Sequence, residues 1–586
     1  MTLSPTVEVA PLPAPAKPAR RRSFAPVALR TLGILLVCAA AYALFHAGLR
    51  LRHYVFEQTV NIRFVNDARN AMNWGNEVNN EGIFQIYDND AIGKTPRGFK
   101  RLDYPPLRLA IAGKWMAWTK SHFPSPQRPW SAGDYAYIEP MLILNTVAEL
   151  ISSVFVFMLI RMWRIRWDDA NRPPTAAPRA FRGVIPGLIG AAIFWLNPGV
   201  LWVSHAWPQW DVWLAPFFLA AVLLACVDAW FAAGMCIAIG ACLKGQILLA
   251  LPTLLLWPIF RMKLDAVLML IAGLVFTFAA ILFNWLHPSR TAVVWLTLFI
   301  LGAATLAPLA FKLKLKPLWL AACAIAAIPL ALPWTSSVSG SLRLVPVALL
   351  GIVAASHWLP RRLVPGVYAL VVGICVFMTI PLYGASRSWY DVGFEFGTRK
   401  FMIVANDSTD NLPGILQETG ILGLSNEGNP NVPVDLPLVG PITFRNLMFD
   451  IFALCLLVSG IGAAIHSKRS DPRFLVAMVV PWICMFALLT QLNNRYLIWA
   501  AGFSALLAGI SVGLSVLGLM LSVISCMGMA QIMYVYNGAY ARSYPDAMQM
   551  KQYMDAVNPN LGWLVLVIAA IYLYVAVTPS RSTRWA

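Results

Sequence analysis

"VALRTLGILLVCAAAYALFHAGL" (27–49) carries one formal charge, Arg30, in an otherwise apolar run. A stretch of about 20 such residues is long enough to cross a bilayer as a helix. It exceeds the core of a typical signal peptide, so it reads as an uncleaved first span. The preceding "PLPAPAKPARRR" (11–22) is Pro-rich and then basic. It predicts a disordered arm over 1–27, held in the cytoplasm by Lys17, Arg20, Arg21 and Arg22.

Working outward, runs of the same kind recur along the 586-residue chain. Hydrophobic residues make up 59% of it and charged residues only 12%, about half the share in soluble domains. The runs lack the alternation of barrel strands, and backbone groups in lipid need internal partners, so they predict helices. The expected fold class is an all-α polytopic membrane protein, a single transmembrane domain over 28–578 followed by a cytoplasmic tail, 579–586. The spans read near 28–49, 137–162, 183–204, 211–227, 230–243, 246–260, 264–286, 291–311, 317–334, 342–358, 363–382, 446–465, 474–491, 496–512, 514–535 and 559–578. That is about sixteen, within a range of fourteen to seventeen.

The net charge is +18. The cations fall in short loops: 161–182, 261–263, 312–316, 361–362, 466–473 and the tail 581–584. Alternate spans put all of these on one side, as the positive-inside rule requires, with both termini cytoplasmic. The charge therefore reports topology, and no motif points to nucleic acid. All nine cysteines lie in apolar runs and no CxxC occurs, so they read as small buried hydrophobes. No inverted repeat between the halves is evident, which counts against a transporter.

Three long segments fall on the opposite, extracytoplasmic side: 50–136, 383–445 and 536–558. The first is rich in Trp and Tyr. Within it "LRLAIAGKWMAWTKSHF" (107–123) places apolar residues at helical spacing with cations opposite, which predicts a helix lying in the headgroup plane. Ahead of that helix stands "DYPPL" (103–107). Its two prolines fix φ and bias Tyr104 toward an extended backbone. Asp103 and Tyr104 read either as the mouth of a cavity or as a turn with an exposed carboxylate. Upstream, "FVNDARNAMNWGNEVNNEGIFQIYDND" (64–90) carries Asp67, with Trp74 seven residues on, and the rival carboxylates Asp88 and Asp90. "DND" lacks the rest of a calcium loop, and no metal or cofactor is expected.

The Asp67–Trp74 spacing followed by "LDYPPL" resembles the first external loop of GT-C glycosyltransferases, above all those using a lipid-phosphate glucose donor. That group has W-D-Y-P-P-L, and Leu102 stands here at the Trp. "HAWPQWDVW" (205–213) resembles the group's G-H-F-Q-Y-N element, with Gln209 at the Gln and Asp211 at the Asn. "CLKGQILLALP" (242–252) resembles its F-K-Q element, with Lys244 and Gln246 flanking an inserted Gly245. "LNNRYLIWA" (492–500) is similar to its H-E-R-Y element, with Asn493 replacing the His and Arg495-Tyr496 retained.

The resemblance implies a GT-C-like fold and inverting transfer of a hexose from a polyprenyl-phosphate donor to a glycan, lipid or protein acceptor, on the extracytoplasmic face of a bilayer. It implies Asp67 as general base. Arg495, Lys244, Gln246, Asp103, Tyr104, Gln209, Asp211 and Trp74 would contact donor phosphate or substrate. The His-to-Asn493 departure moves phosphate contact to Arg495. In 383–445, Arg387, Arg399 and Lys400 interleave with Trp389, Tyr390 and Phe394, either as a second wall or as interfacial anchors. His205 reads as a structural histidine. A flippase of lipid-linked sugars and a surface-polysaccharide polymerase or ligase stay open as rivals. The Pro/Ala-rich arm favours a bacterial plasma membrane; the sequon "NDS" (406–408) points the other way.

Overall fold

The computed structural model describes residues 25–59, 63, 65–91, 102, 104–123, 135–171, 182–286, 363, 366–367, 370, 373–374, 388–394, 404–405, 409–420, 429–436, 440–536 and 545–578. Residues 1–24 of the expected arm 1–27, whose end is already helical from Ala25, and the tail 579–586 lie outside these residues. So do Asp103, the expected spans 291–311, 317–334 and 342–358, most of 363–382, the sequon, and Arg387, Arg399 and Lys400. The chain divides into two compact units, 1–50 and 51–586.

The described residues are mostly helical. Among the described residues, seven helices are long and apolar enough to cross a membrane: Thr31–Gln58, Tyr135–Asn171, Val184–Ala206, Leu264–Leu282, Phe444–Arg469, Val512–Tyr534 and Asn560–Val577. Four shorter apolar stretches, Asp211–Cys226, Trp230–Leu243, Gly245–Phe260 and Phe474–Leu488, match further expected spans. In the first unit the helix leaves Leu32, Ile34, Leu35 and Leu36 exposed.

Several boundaries differ from the hydropathy reading, for local reasons. Helix α1 (Ala25–Gln58) continues past Leu49 because neither Gly nor Pro interrupts 50–58. The helix over Tyr135–Asn171 likewise runs on through its basic segment, beyond its apolar part. The last helix starts at Pro545, within the expected external loop, since proline suits a first helical turn. The expected span 496–512 is broken instead. A 3₁₀ turn at Asn494–Tyr496 leads into a short helix, Leu497–Phe503, and a second 3₁₀ turn, Ser504–Gly509. Ser504 donates back to the carbonyl of Ala500 at 2.7 Å, tightening the chain where the change occurs.

All fifteen residues of Phe474–Leu488 are buried, so this helix forms the core of the second unit. Elsewhere, Trp230–Leu243 and Leu264–Leu286 approach so closely that a methyl on Gly234 would strike the Leu270 carbonyl, and one on Gly273 the Phe231 carbonyl. Reciprocal glycines of this kind let helices pack without a hydrophobic driving force between them.

Among the described residues of 50–136 are three further helices: α2 (Asn66–Glu81), α3 (Ile83–Ala91) and α4 (Pro106–His122). The expected surface helix is α4, but its buried face lies against α2 and includes Arg108. Lys114 is on the outside as expected. The α2–α4 contact is made at Gly75, where any Cβ would collide with the carbonyl of Ala112. Gly75→Leu should therefore separate α2 from α4 at a cost of about 1–3 kcal/mol. Thermal unfolding in detergent measures this as a lowered midpoint, with Gly75→Ala affected less.

Candidate functional site

Four junctions between helices meet at one point. Asp67 sits in the first turn of α2. Trp207, Gln209 and Asp211 follow a π-turn, Trp202–Ala206, that ends the apolar stretch from Val184. Lys244 occupies the extended break between Trp230–Leu243 and the 3₁₀ turn Gly245–Leu249. Arg495 lies in the 3₁₀ turn ahead of Leu497.

The side chains of all four junctions converge. Oδ2 of Asp67 accepts from Arg495 Nη1 at 3.0 Å, from Trp207 Nε1 at 3.1 Å and from Gln209 Nε2. Its Oδ1 takes no hydrogen bond from the described residues. Arg495 Nε also lies 3.6 Å from Oδ2 of Asp211. The other carboxylate oxygen of Asp211 pairs with Lys244 Nζ. Asp67 and Arg495 keep 15% and 14% of their side-chain surface open, whereas Asp211 is sealed at 0% and Lys244 at 4%. Asp67 and Arg495 are reachable; Asp211 and Lys244 form the floor beneath them.

Aromatic rings hold the floor. Lys244 Nζ lies 4.6 Å from the ring centre of Tyr496 and 5.0 Å from that of Trp499, and these two rings stack at 5.3 Å. Trp499 Nε1 donates to the Asp211 carbonyl at 2.9 Å. Asn493, at the position of the family-pattern histidine, accepts from the backbone N–H of Arg495 at 3.1 Å and so caps the turn that carries it.

A second wall comes from α4 and its approach. The Arg108 guanidinium stands 3.2 Å from the ring centre of Tyr104 and 3.7 Å from that of Trp210. Trp74 meets Tyr104 edge-on at 5.5 Å. Tyr104 thus binds other rings, and its carbonyl accepts from the Tyr87 hydroxyl. The short helix Ser388–Gly393 packs on α3 and reaches the Tyr104 backbone through Gly393. Phe394 approaches Gly245 and meets Phe278 at a tilt, ring centres 5.6 Å apart. Phe394 thus lies beside the Lys244 break and Trp389 against Phe278. Beside the same break is a cavity of about 320 Å³ lined, among the described residues, by Ala238, Ala241, Leu248, Leu274, Val275, Phe278 and Ile374.

Of the residues expected from sequence, Asp67, Gln209, Asp211, Lys244 and Arg495 come together by direct contact. Trp74 and Tyr104 are one layer removed. Gln246 is half-buried and makes no side-chain hydrogen bond with the described residues. Asp88 lies on α3, and the Oδ1 of Asp90 accepts from the backbone N–H of Leu102 at 3.3 Å, so neither rival carboxylate joins the cluster. No group of three His, Cys, Asp or Glu among the described residues is placed to hold a metal ion.

Three participants escaped the sequence reading. Trp207 was legible only as a neighbour of His205, and Arg108 only as a surface cation. Asp410, in the segment 383–445, carries no motif. Its backbone N–H donates to Asn494 Oδ1 at 2.8 Å, and Thr409 Oγ1 donates to the Leu492 carbonyl at 2.8 Å. Its carboxyl fits against Gly528, where a side chain would leave no room. This clamp holds the turn next to Arg495. No protein-family model matches the chain, and no curated protein matches it at a significant level.

Burial, with the nearby Glu418 charge, pushes the Asp410 carboxyl well above the ordinary carboxylate range. The folded protein then keeps this proton after the unfolded chain, titrating near pH 3.9, has lost it. Stability falls as pH rises from about 4 toward the folded value. Asp410→Asn should flatten this decline and raise the unfolding midpoint at neutral pH, measured by thermal unfolding across pH 4 to 8.

Proposed function

We propose that this protein is an integral-membrane glycosyltransferase of the GT-C type, moving a hexose from a polyprenyl-phosphate donor to an acceptor on the extracytoplasmic side. The observation that carries this reading is Asp67: one carboxylate oxygen is anchored by Arg495, Gln209 and Trp207, and the other takes no hydrogen bond from the described residues. A base needs a fixed orientation and an accessible lone pair within reach of the proton it takes.

In this reading the acceptor oxygen attacks the anomeric carbon while its proton passes to Oδ1 of Asp67. The bond from that carbon to the phosphate oxygen breaks, and its electron pair stays on the departing lipid phosphate. Arg495 stabilises the charge that grows there. Fixed donors aimed at developing charge are often the largest single contribution to a barrier. A phosphate leaves readily, so a second, acidic carboxyl is not required, and a single displacement inverts the anomeric centre. Asp211 and Lys244 orient Arg495 from below rather than touching substrate. The apolar cavity beside Gly245 suits the first isoprene units of the carrier.

A transport reading also has an observation in its favour. Buried ionisable groups and interrupted helices occur together at the π-turn and at the Lys244 break, a pattern shared by secondary transporters. The two readings differ in products. Full-length protein in detergent, given farnesyl-phosphate glucose and a host-membrane lipid and glycan extract as acceptor, should release farnesyl phosphate only with the extract present. Asp67→Asn should retain fold and donor KM but lose about 10²–10⁴ in kcat. Wild-type turnover by Asp67→Asn removes the base assignment, and no release at all favours transport.

A further inference from the structure

The longest described span, Tyr135–Asn171, buries an acid that the proposed chemistry does not use. Glu149 is 0% exposed and its Oε2 accepts from Arg52 Nε at 2.6 Å. Arg52 also donates to the Trp195 carbonyl at 3.0 Å, and its guanidinium lies 3.4 Å from the centre of the Trp195 ring. The second carboxylate oxygen accepts from Ser204 Oγ and faces His205 Nε2 at 3.6 Å. One helical turn before Glu149, on the same face, the Asn145 amide donates to the carbonyls of Ser204 at 2.7 Å and Gln209 at 2.9 Å. Its oxygen accepts from Trp213 Nε1 at 2.7 Å.

These contacts grip one short piece of chain at both ends. Ser204 and His205 belong to the π-turn Trp202–Ala206, and Gln209 follows it. Between the grips lies Trp207. Trp207 and Gln209 are two of the three groups that hold Oδ2 of Asp67. A π-turn is a wide, uncommon backbone form that concentrates at functional sites. Ionisable residues inside spans are likewise rare and tend to mark function. A well-packed apolar pair would hold two helices together at least as well as a buried ion pair. The charges at Arg52 and Glu149 therefore need a reason other than cohesion, and the aim of the turn supplies one.

We infer that Glu149, fixed by Arg52 and seconded by Asn145, is a positioning residue: through Ser204 and His205 it sets the π-turn that directs Trp207 and Gln209 onto Asp67. This rests on the glycosyltransferase reading for its kinetic consequence but not for its geometric one. Glu149 touches neither substrate nor base. Its effect reaches the reaction only through the orientation of the Asp67 carboxylate.

Removing one partner alone leaves a buried charge, so the test uses the neutral pair Arg52→Met with Glu149→Leu, and Ser204→Ala as a second variant that keeps the ion pair. Two readouts are taken on full-length protein in detergent. The first is turnover of farnesyl-phosphate glucose with the host-membrane extract. Both variants should keep the donor KM and lose about tenfold or more in kcat, a split that loss of folded protein would not produce once activity is scaled to the folded fraction. The second is cross-linking of D67C with Q209C by dibromobimane in a Cys38→Ser background, whose yield should fall several-fold when Arg52→Met and Glu149→Leu are added. Unchanged cross-linking, or unchanged kcat in an active wild-type background, overturns the inference. If the wild type releases no farnesyl phosphate but cross-linking still falls, the positioning role stands and the transferase reading fails.

Discussion

The sealed contact between Asp211 and Lys244 is the constraint from which the rest of the site follows. Neither charge reaches solvent, so each is tolerable only while the other is present. Lys244 can meet Asp211 only because the chain is extended between two short apolar stretches, and Asp211 only because the preceding span ends in a π-turn. The remaining oxygen of Asp211 then draws Arg495, and Arg495 in turn reaches Asp67. Residues from four distant parts of the sequence are thereby fixed in one row, from a dry floor to a reachable carboxylate. Tyr496 and Trp499 hold the lysine by their ring faces, so the floor excludes water without using a further anion.

Much of this row was legible in the residues themselves. Asp67, Gln209 and Asp211 stand out by the spacing and order of their motifs, whereas Lys244 lies within an apolar stretch and Arg495 begins one, where a charge is expensive unless it has a task or a partner. The sequence could not show which partner each one takes. Lys244 reads as a donor-site cation, and its pairing with Asp211 is not visible in the sequence. Glu149 drew no notice within an apolar run, because its cation, Arg52, is far away in the chain. Arg108 sits on a helix whose spacing suggests an outer cationic face, yet it points inward between Tyr104 and Trp210. Amphipathic spacing reports that a helix has two sides, not what covers each one.

Helix lengths were legible only where a breaker follows the apolar run. Hydropathy ends a span when the residues turn polar, whereas the backbone ends it when a proline, a glycine or a competing hydrogen bond intervenes. That difference extends Tyr135–Asn171 beyond its apolar part and starts the last helix at Pro545. It also splits the stretch after Arg495 into 3₁₀ and α pieces, which hydropathy reads as one span. The short, broken helices lie where the site is, and the long regular ones, Phe444–Arg469 and Leu264–Leu286, carry none of the clustered residues.

The direct link between Asp67 and Arg495 joins the segment 50–136 to the late spans and sets the orientation of the carboxylate. A double-mutant cycle on thermal unfolding, built from Asp67→Asn, Arg495→Met and both together, measures that link without any assumption about substrate. A coupling on the order of 1 kcal/mol is expected for groups in one hydrogen-bonded network. Strictly additive effects would mean that the two side chains do not meet, and the row from Lys244 to Asp67 would not exist.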